Sequence, residues 1–105
     1  MVVSTELIGY CCFGPDARIP GLEEEAGVLD IGLGLRPDLT GIGLGGPFLR
    51  AVCKLGAELH EPETFRLATG AFNRRMQRVA SALGFERTGV ISTPRHEFVV
   101  MERAA

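Results

Sequence analysis

The residues with chemical potential gather around one glycine-rich stretch. Residues 40–47 read Thr40-Gly41-Ile42-Gly43-Leu44-Gly45-Gly46-Pro47 and lead directly into a helical pattern. A glycine-rich loop ahead of a helix presents free backbone amides, and the helix dipole adds partial positive charge, so the arrangement suits an anion. The string Gly41-x-Gly43-x-x-Gly46 also fits the dinucleotide fingerprint. However, Pro37 to Thr40 separate it from the preceding strand, and no βαβ repeat follows. A triphosphate-binding loop is excluded, because no Gly-Lys-Ser/Thr occurs. A turn with a tight helix start is the plain structural alternative. It does not account for the number of glycines: of 14, seven lie between Gly27 and Gly46.

Metal and disulfide chemistry find no support. Cys11 and Cys12 are adjacent and Cys53 stands alone, which is a poor disulfide framework. No Cys/His cluster has ligand spacing, and His60 and His96 are far apart. The cysteines read as apolar-like residues of a reduced cytoplasm.

The elements that must position the loop follow from periodicity. Leu7–Phe13 is a short apolar run closed by Gly14-Pro15 and reads as a strand. A polar loop, Asp16–Gly27, carries the acidic run Glu23-Glu24-Glu25. Leu29, Ile31, Leu33 and Leu35 alternate with Asp30, Gly32 and Gly34, a strand with one leucine-rich face and one nearly bare face. After the loop, Phe48, Leu49, Val52, Leu55 and Leu59 repeat with helical spacing, and Pro47 suits the first turn. A short strand, Phe65–Ala68, precedes a second helix whose face carries Phe72, Met76, Val79, Ala80 and Leu83 and whose C-terminal cap is Gly84. Phe85–Ile91 and His96–Arg103 read as two final strands. The expected order is strand, strand, helix, strand, helix, strand, strand.

Length and charge bound the rest. The 105 residues fit one domain, 1–105, with 46% hydrophobic residues and a net charge of −2. A chain of this size buries roughly 65% of its unfolded surface. The charge balance argues against a nucleic-acid partner. No apolar run reaches the roughly 18 residues that span a bilayer, and no leader pattern precedes the first strand, so a cytoplasmic chain with no membrane partner is expected.

At this point the residues resemble a family. LDIGLGLRPDLTGIGLGGPFLRAV, residues 29–52, is similar to the acetyl-coenzyme A-binding motif of the GCN5-related N-acetyltransferases (GNAT), Gln/Arg-x-x-Gly-x-Gly/Ala after a strand that ends near a proline. Gly43 and Gly45 fall on its two small positions and Gly41 on its common extra glycine. Phe72-Asn73 followed by Leu83-Gly84-Phe85-Glu86 resembles the family's second signature, an asparagine ahead of Leu-Gly-Phe. The resemblance covers residues 6–103. It implies an α/β (α+β) GNAT-like acyl-CoA N-acyltransferase fold, with a mixed sheet of about five strands and two main helices. The family's usual N-terminal strand and helices have no counterpart.

The resemblance also implies a site. The amides of Gly41 to Gly46 would hold the pyrophosphate of coenzyme A, with Thr40 where the family usually has Gln or Arg. The strand near Leu33 to Leu35 would splay from its neighbour and pair with the pantetheine arm. Asn73 would contact that arm, serve as a helix N-cap, or do both. Arg74 and Arg75 open the second helix, where cations oppose the dipole; they form a solvated face or meet a cofactor phosphate. Asp30 shares a face with Gly32 and Gly34 and is the candidate general base, or else an ordinary hydrogen-bonded strand aspartate. Ala80 stands where many members carry the tyrosine that protonates the leaving thiolate.

Two functions remain open. One is an acetyl-CoA-dependent N-acetyltransferase with a small-molecule or peptide amine acceptor, its bare Gly32/Gly34 face covered by a second copy in a homodimer. The other is a catalytically impaired remnant that binds coenzyme A or a partner protein without transfer. A dinucleotide-binding module is a distant third.

Overall fold

The structure is a computed structural model that describes residues 2–5, 9–36 and 43–105. In chain order it comprises β1 (Val2–Thr5), β2 (Gly9–Phe13), a 3-10 turn (Gly14–Ala17), β3 (Val28–Leu35), α1 (Gly45–His60), β4 (Thr64–Gly70), α2 (Arg74–Ala82), β5 (Glu86–Ser92) and β6 (Glu97–Ala104). The strands form one six-stranded sheet in the order β1-β2-β3-β4-β6-β5. Five strands are those expected from periodicity; β1 adds a sixth, paired antiparallel with β2. Its residues, Val2-Val3-Ser4-Thr5, are too few to show a period on their own.

One pairing positions the site. β3 and β4 run parallel, whereas the other ladders are antiparallel. Parallel neighbours need a long crossover, and here α1 and the glycine loop supply it. Both helices pack on one face of the sheet. Phe13, Leu29, Ile31, Phe65, Val99 and Met101 point into a shared core with Leu49, Val52 and Cys53 of α1 and Ala80 of α2.

Two apolar positions depart from the expected helix faces. Leu59 is 50% exposed, because the buried stripe of α1 runs through Leu49, Val52, Cys53 and Gly56. Phe72 is 84% exposed and precedes α2 instead of joining its face. Asn73 starts that helix by accepting a hydrogen bond from the Met76 amide at 3.1 Å. Gly84 stops it with a φ of 91°, a left-handed conformation that glycine adopts without a Cβ clash.

The opposite face of the sheet is covered in part by residues 14–27. Cys12 and Ala17 lie over Gly32, Tyr10 lies over Gly34, and the Ile91 side chain of β5 meets Gly21. The glycine face is therefore filled by the chain's own side chains. The argument for a second copy as its cover does not stand.

Candidate functional site

Past Asp30 the two central strands part. Ladder pairs join Val28, Leu29 and Asp30 to Thr64, Phe65 and Arg66. Beyond them β3 continues to Leu35 against β2, and β4 continues to Gly70 against β6. This is the splay expected near Leu33 to Leu35. Between the diverging edges lies a cavity of about 570 Å³.

Its walls come from four elements. β3 contributes Ile31 through Leu35, and β4 contributes Leu67, Ala68 and Thr69. The entry to α1 contributes Gly43, Gly45 and Gly46, and the first two turns of α2 contribute Asn73, Arg75, Met76 and Val79. The deep part is apolar. The polar side chains are Thr69, Asn73 and Arg75, of which Arg75 alone is titratable among the described residues. The facing edges of β3 and β4 have no ladder partner here among the described residues, so their amides and carbonyls suit an extended, amide-bearing ligand.

Each described glycine of the loop has its own physical reason. Gly43 has a φ of 84°, which a residue with a Cβ adopts only at a cost. A Cβ on Gly45 would meet Val79 Cγ2 at 3.2 Å, so this glycine lets α1 and α2 approach. Among the described residues, a Cβ on Gly46 would meet nothing within 4 Å. Thr40 and Gly41 lie outside the described residues.

The electrostatics at this end favour an anion. Among the described residues no side chain caps the amides that open α1, and neither helix has an acidic residue in its first turn. Both N-termini border the cavity, so their partial positive charges converge with Arg75. Asn73 is the N-cap of α2, one of its two expected readings, and it also lines the cavity. Arg74, one residue from Arg75, turns instead toward a separate groove beside Arg78 and Arg87.

Asp30 does not line the cavity, which corrects the expectation that its carboxylate lies beside it. It is 2% exposed and accepts three hydrogen bonds. Arg66 Nε donates to Oδ1 at 2.6 Å, and Arg66 Nη2 and Arg18 Nε donate to Oδ2 at 3.0 and 2.8 Å. Arg66 also donates to the Glu23 carbonyl at 2.6 Å and pairs with Glu25 at 3.2 Å. The hydrogen bonds it donates to Asp30 push the Arg66 guanidinium above its already high ordinary value, against the opposing effect of burial. Holding three hydrogen bonds and only 2% exposed, Asp30 is bound up in this cluster and closed off from the cavity. This cluster was missed as a unit. The available signal was an arginine inside the apolar strand Phe65-Arg66-Leu67-Ala68, which demands a buried partner.

Ala80 is fully buried in the core and contributes nothing to the cavity wall. His96 is exposed in the β5–β6 turn, near Phe98. The three cysteines are buried, and the described residues hold no cluster of His, Cys, Asp and Glu that could bind a metal. No helix among the described residues is long and apolar enough to cross a membrane.

Comparison with known proteins agrees with this geometry. The acetyltransferase (GNAT) domain family matches residues 1–86. No curated protein matches the chain. Among solved structures, aminoglycoside acetyltransferase AAC(6')-Ib in complex with coenzyme A is 28% identical, with a TM-score of 0.73 over 92% of this chain and 59% of that one. A GNAT-family acetyltransferase from Bacillus anthracis is 17% identical, with a TM-score of 0.72 over 93% of this chain and 58% of that one. Spermidine N-acetyltransferase SpeG from Vibrio cholerae is 12% identical, with a TM-score of 0.74 over 98% of this chain and 63% of that one. The chain thus spans about three fifths of the length of the structures it matches.

Proposed function

The chain belongs to the GNAT acetyltransferase family, and from that premise we propose that it is an acetyl-CoA-dependent N-acetyltransferase acting on an amine. The observation that carries the reading is the splay: a cavity with an apolar interior that ends on two helix N-termini and a glycine-lined loop. Acetyl-coenzyme A would supply the activated acyl group, whose carbonyl carbon accepts an amine lone pair while the C–S bond breaks and the thiolate leaves.

The chain's own residues divide the remaining work. The amides of Gly43, Gly45 and Gly46, together with Thr40 and Gly41, hold the pyrophosphate, and Arg75 offsets its charge. The free edge of β3 near Leu33 and Leu35 aligns the pantetheine arm, with Asn73 on the opposing wall. Backbone amides on that edge stabilise the developing oxyanion. Because Arg75 is the only titratable group lining the cavity among the described residues, positioning carries the catalysis. The proton released by the amine passes to water or to the leaving thiolate. A second reading, binding of coenzyme A without transfer, is favoured by the same lack of acid and base and by the buried Ala80.

Calorimetry with acetyl-CoA and with NAD tests the cofactor, and thiol release with an amine present separates transfer from binding. Acetyl-CoA alone binds on this reading. Gly46→Val leaves thermal stability unchanged, since its Cβ meets nothing within 4 Å among the described residues, yet weakens acetyl-CoA by on the order of tenfold or more by placing a side chain in the ligand's path. Equal affinity in wild type and variant contradicts the assignment.

A further inference from the structure

Two exposed aromatic side chains stand at the splay, on the sheet face away from the helices. Tyr10 is 50% exposed and Phe72 is 84% exposed. Each covers a glycine. The Tyr10 hydroxyl lies 3.1 Å from where a Cβ would sit on Gly34, and Phe72 Cδ1 lies 3.0 Å from the same point on Gly70. Strand alternation places both rings on one face. Asp30 and Arg66 are ladder partners with bonded side chains. Gly34 and Gly70 each follow four residues later, so their missing side chains point the same way as those of Asp30 and Arg66. Tyr10 therefore stands at the β3 wall of the gap and Phe72 at the β4 wall.

The surroundings carry a sign. Residues 14–27, which cross this face, contain four carboxylates, Asp16, Glu23, Glu24 and Glu25; with Asp30 they outnumber the guanidiniums of the same face, Arg18 and Arg66, which are bonded to Asp30 and Glu25, and Arg36, which alternation places there. Aromatic faces beside a negative surface attract cations. At 84% exposure, Phe72 has no core role to explain its size.

We propose that Tyr10 and Phe72 form the two sides of an acceptor subsite for an amine that carries a second cationic group. The second ammonium or guanidinium rests against the rings while the free amine enters the gap. This rests on the reading of the splay as the acetyl-transfer site, and it adds the chemical class of the acceptor and the side chains that select it.

The chain has one tyrosine and no tryptophan, so its intrinsic emission reports on Tyr10 alone. The full chain is titrated with putrescine at neutral pH and with butanediol as the uncharged counterpart. Putrescine gives a saturable change in emission and butanediol gives none. Phe72→Leu, a change at an exposed site that leaves folding intact, weakens putrescine roughly threefold and leaves acetyl-CoA affinity as in the wild type. The proposal is overturned by a flat putrescine titration, by equal affinity for butanediol, or by unchanged putrescine affinity in Phe72→Leu. Calorimetry with acetyl-CoA on the same samples tells the two readings apart. Acetyl-CoA binding without putrescine binding removes this proposal alone. Putrescine binding without acetyl-CoA binding removes the transferase reading and leaves the cation site in place.

Discussion

Asp30→Asn takes one charge from beneath β3 and leaves two guanidiniums facing a neutral amide. In the folded chain the carboxylate is 2% exposed and accepts bonds of 2.6, 2.8 and 3.0 Å. The Arg66 side chain is 7% exposed, so after substitution its charge is buried without its main partner. Breaking a buried ion pair from one side costs about 3–5 kcal/mol. Arg66 retains the Glu23 carbonyl at 2.6 Å and the largely exposed Glu25 at 3.2 Å, which places the cost at the lower end. At about 3 kcal/mol, a domain of this size loses roughly 12–24 °C in Tm. The assay is thermal unfolding of wild type, Asp30→Asn, Arg66→Met and the double variant, alongside acetyl-CoA binding at a temperature where all are folded. The double variant is expected to lose less than the sum of the single losses, because the unpaired charge is gone. A Tm within a few degrees of wild type, with acetyl transfer abolished, refutes the structural role and restores Asp30 as the base.

Two further outcomes follow from the geometry. Arg75→Ala weakens acetyl-CoA by roughly tenfold, the scale of one charge-assisted hydrogen bond, whereas Arg74→Ala changes it less than about twofold under the same reasoning; calorimetry decides, and equal losses contradict the assignment of Arg75 to the cavity and Arg74 to the neighbouring groove. Burial pushes the Cys12 and Cys53 thiols above their ordinary value of 9.0, with Asp16 adding to the rise at Cys12 and Arg103 opposing it at Cys53. The folded chain holds both as protonated thiols. Their contribution to stability is therefore whole below the unfolded value and is lost as pH rises through the higher folded values. Urea unfolding shows this as a fall on the alkaline side, and iodoacetamide at mildly alkaline pH labels the native chain only as fast as it unfolds; rapid labelling of Cys12 or Cys53 in the folded protein disproves it.

Local patterning determined a good deal of this protein. Alternation of Leu29, Ile31, Leu33 and Leu35 set β3 and its core face, and the helical repeats set α1 and α2, because side-chain periodicity reflects backbone geometry directly. Asn73 and Gly84 marked the ends of α2, since capping depends on residues adjacent in sequence. The same local signals, with the two quoted motifs, singled out Gly43, Gly45 and Gly46, which the structure places on the wall of the cavity. What lies across strands was not legible. Asp30 sits on the same face of β3 as Gly32 and Gly34, as alternation requires, yet its environment is decided by Arg66, 36 residues away, and by Arg18 from the covering segment. The glycine face looked bare because its covers, Tyr10 and Cys12, belong to another strand and reach it only through the β2–β3 register. Arg74 and Arg75 are neighbours in sequence, and a helix turn of about 100° per residue sends them to different grooves. Sequence thus determined which backbone each segment adopts. Tertiary pairing decided which charges meet, which surfaces close and which side chains face the gap, because those contacts depend on register between distant segments.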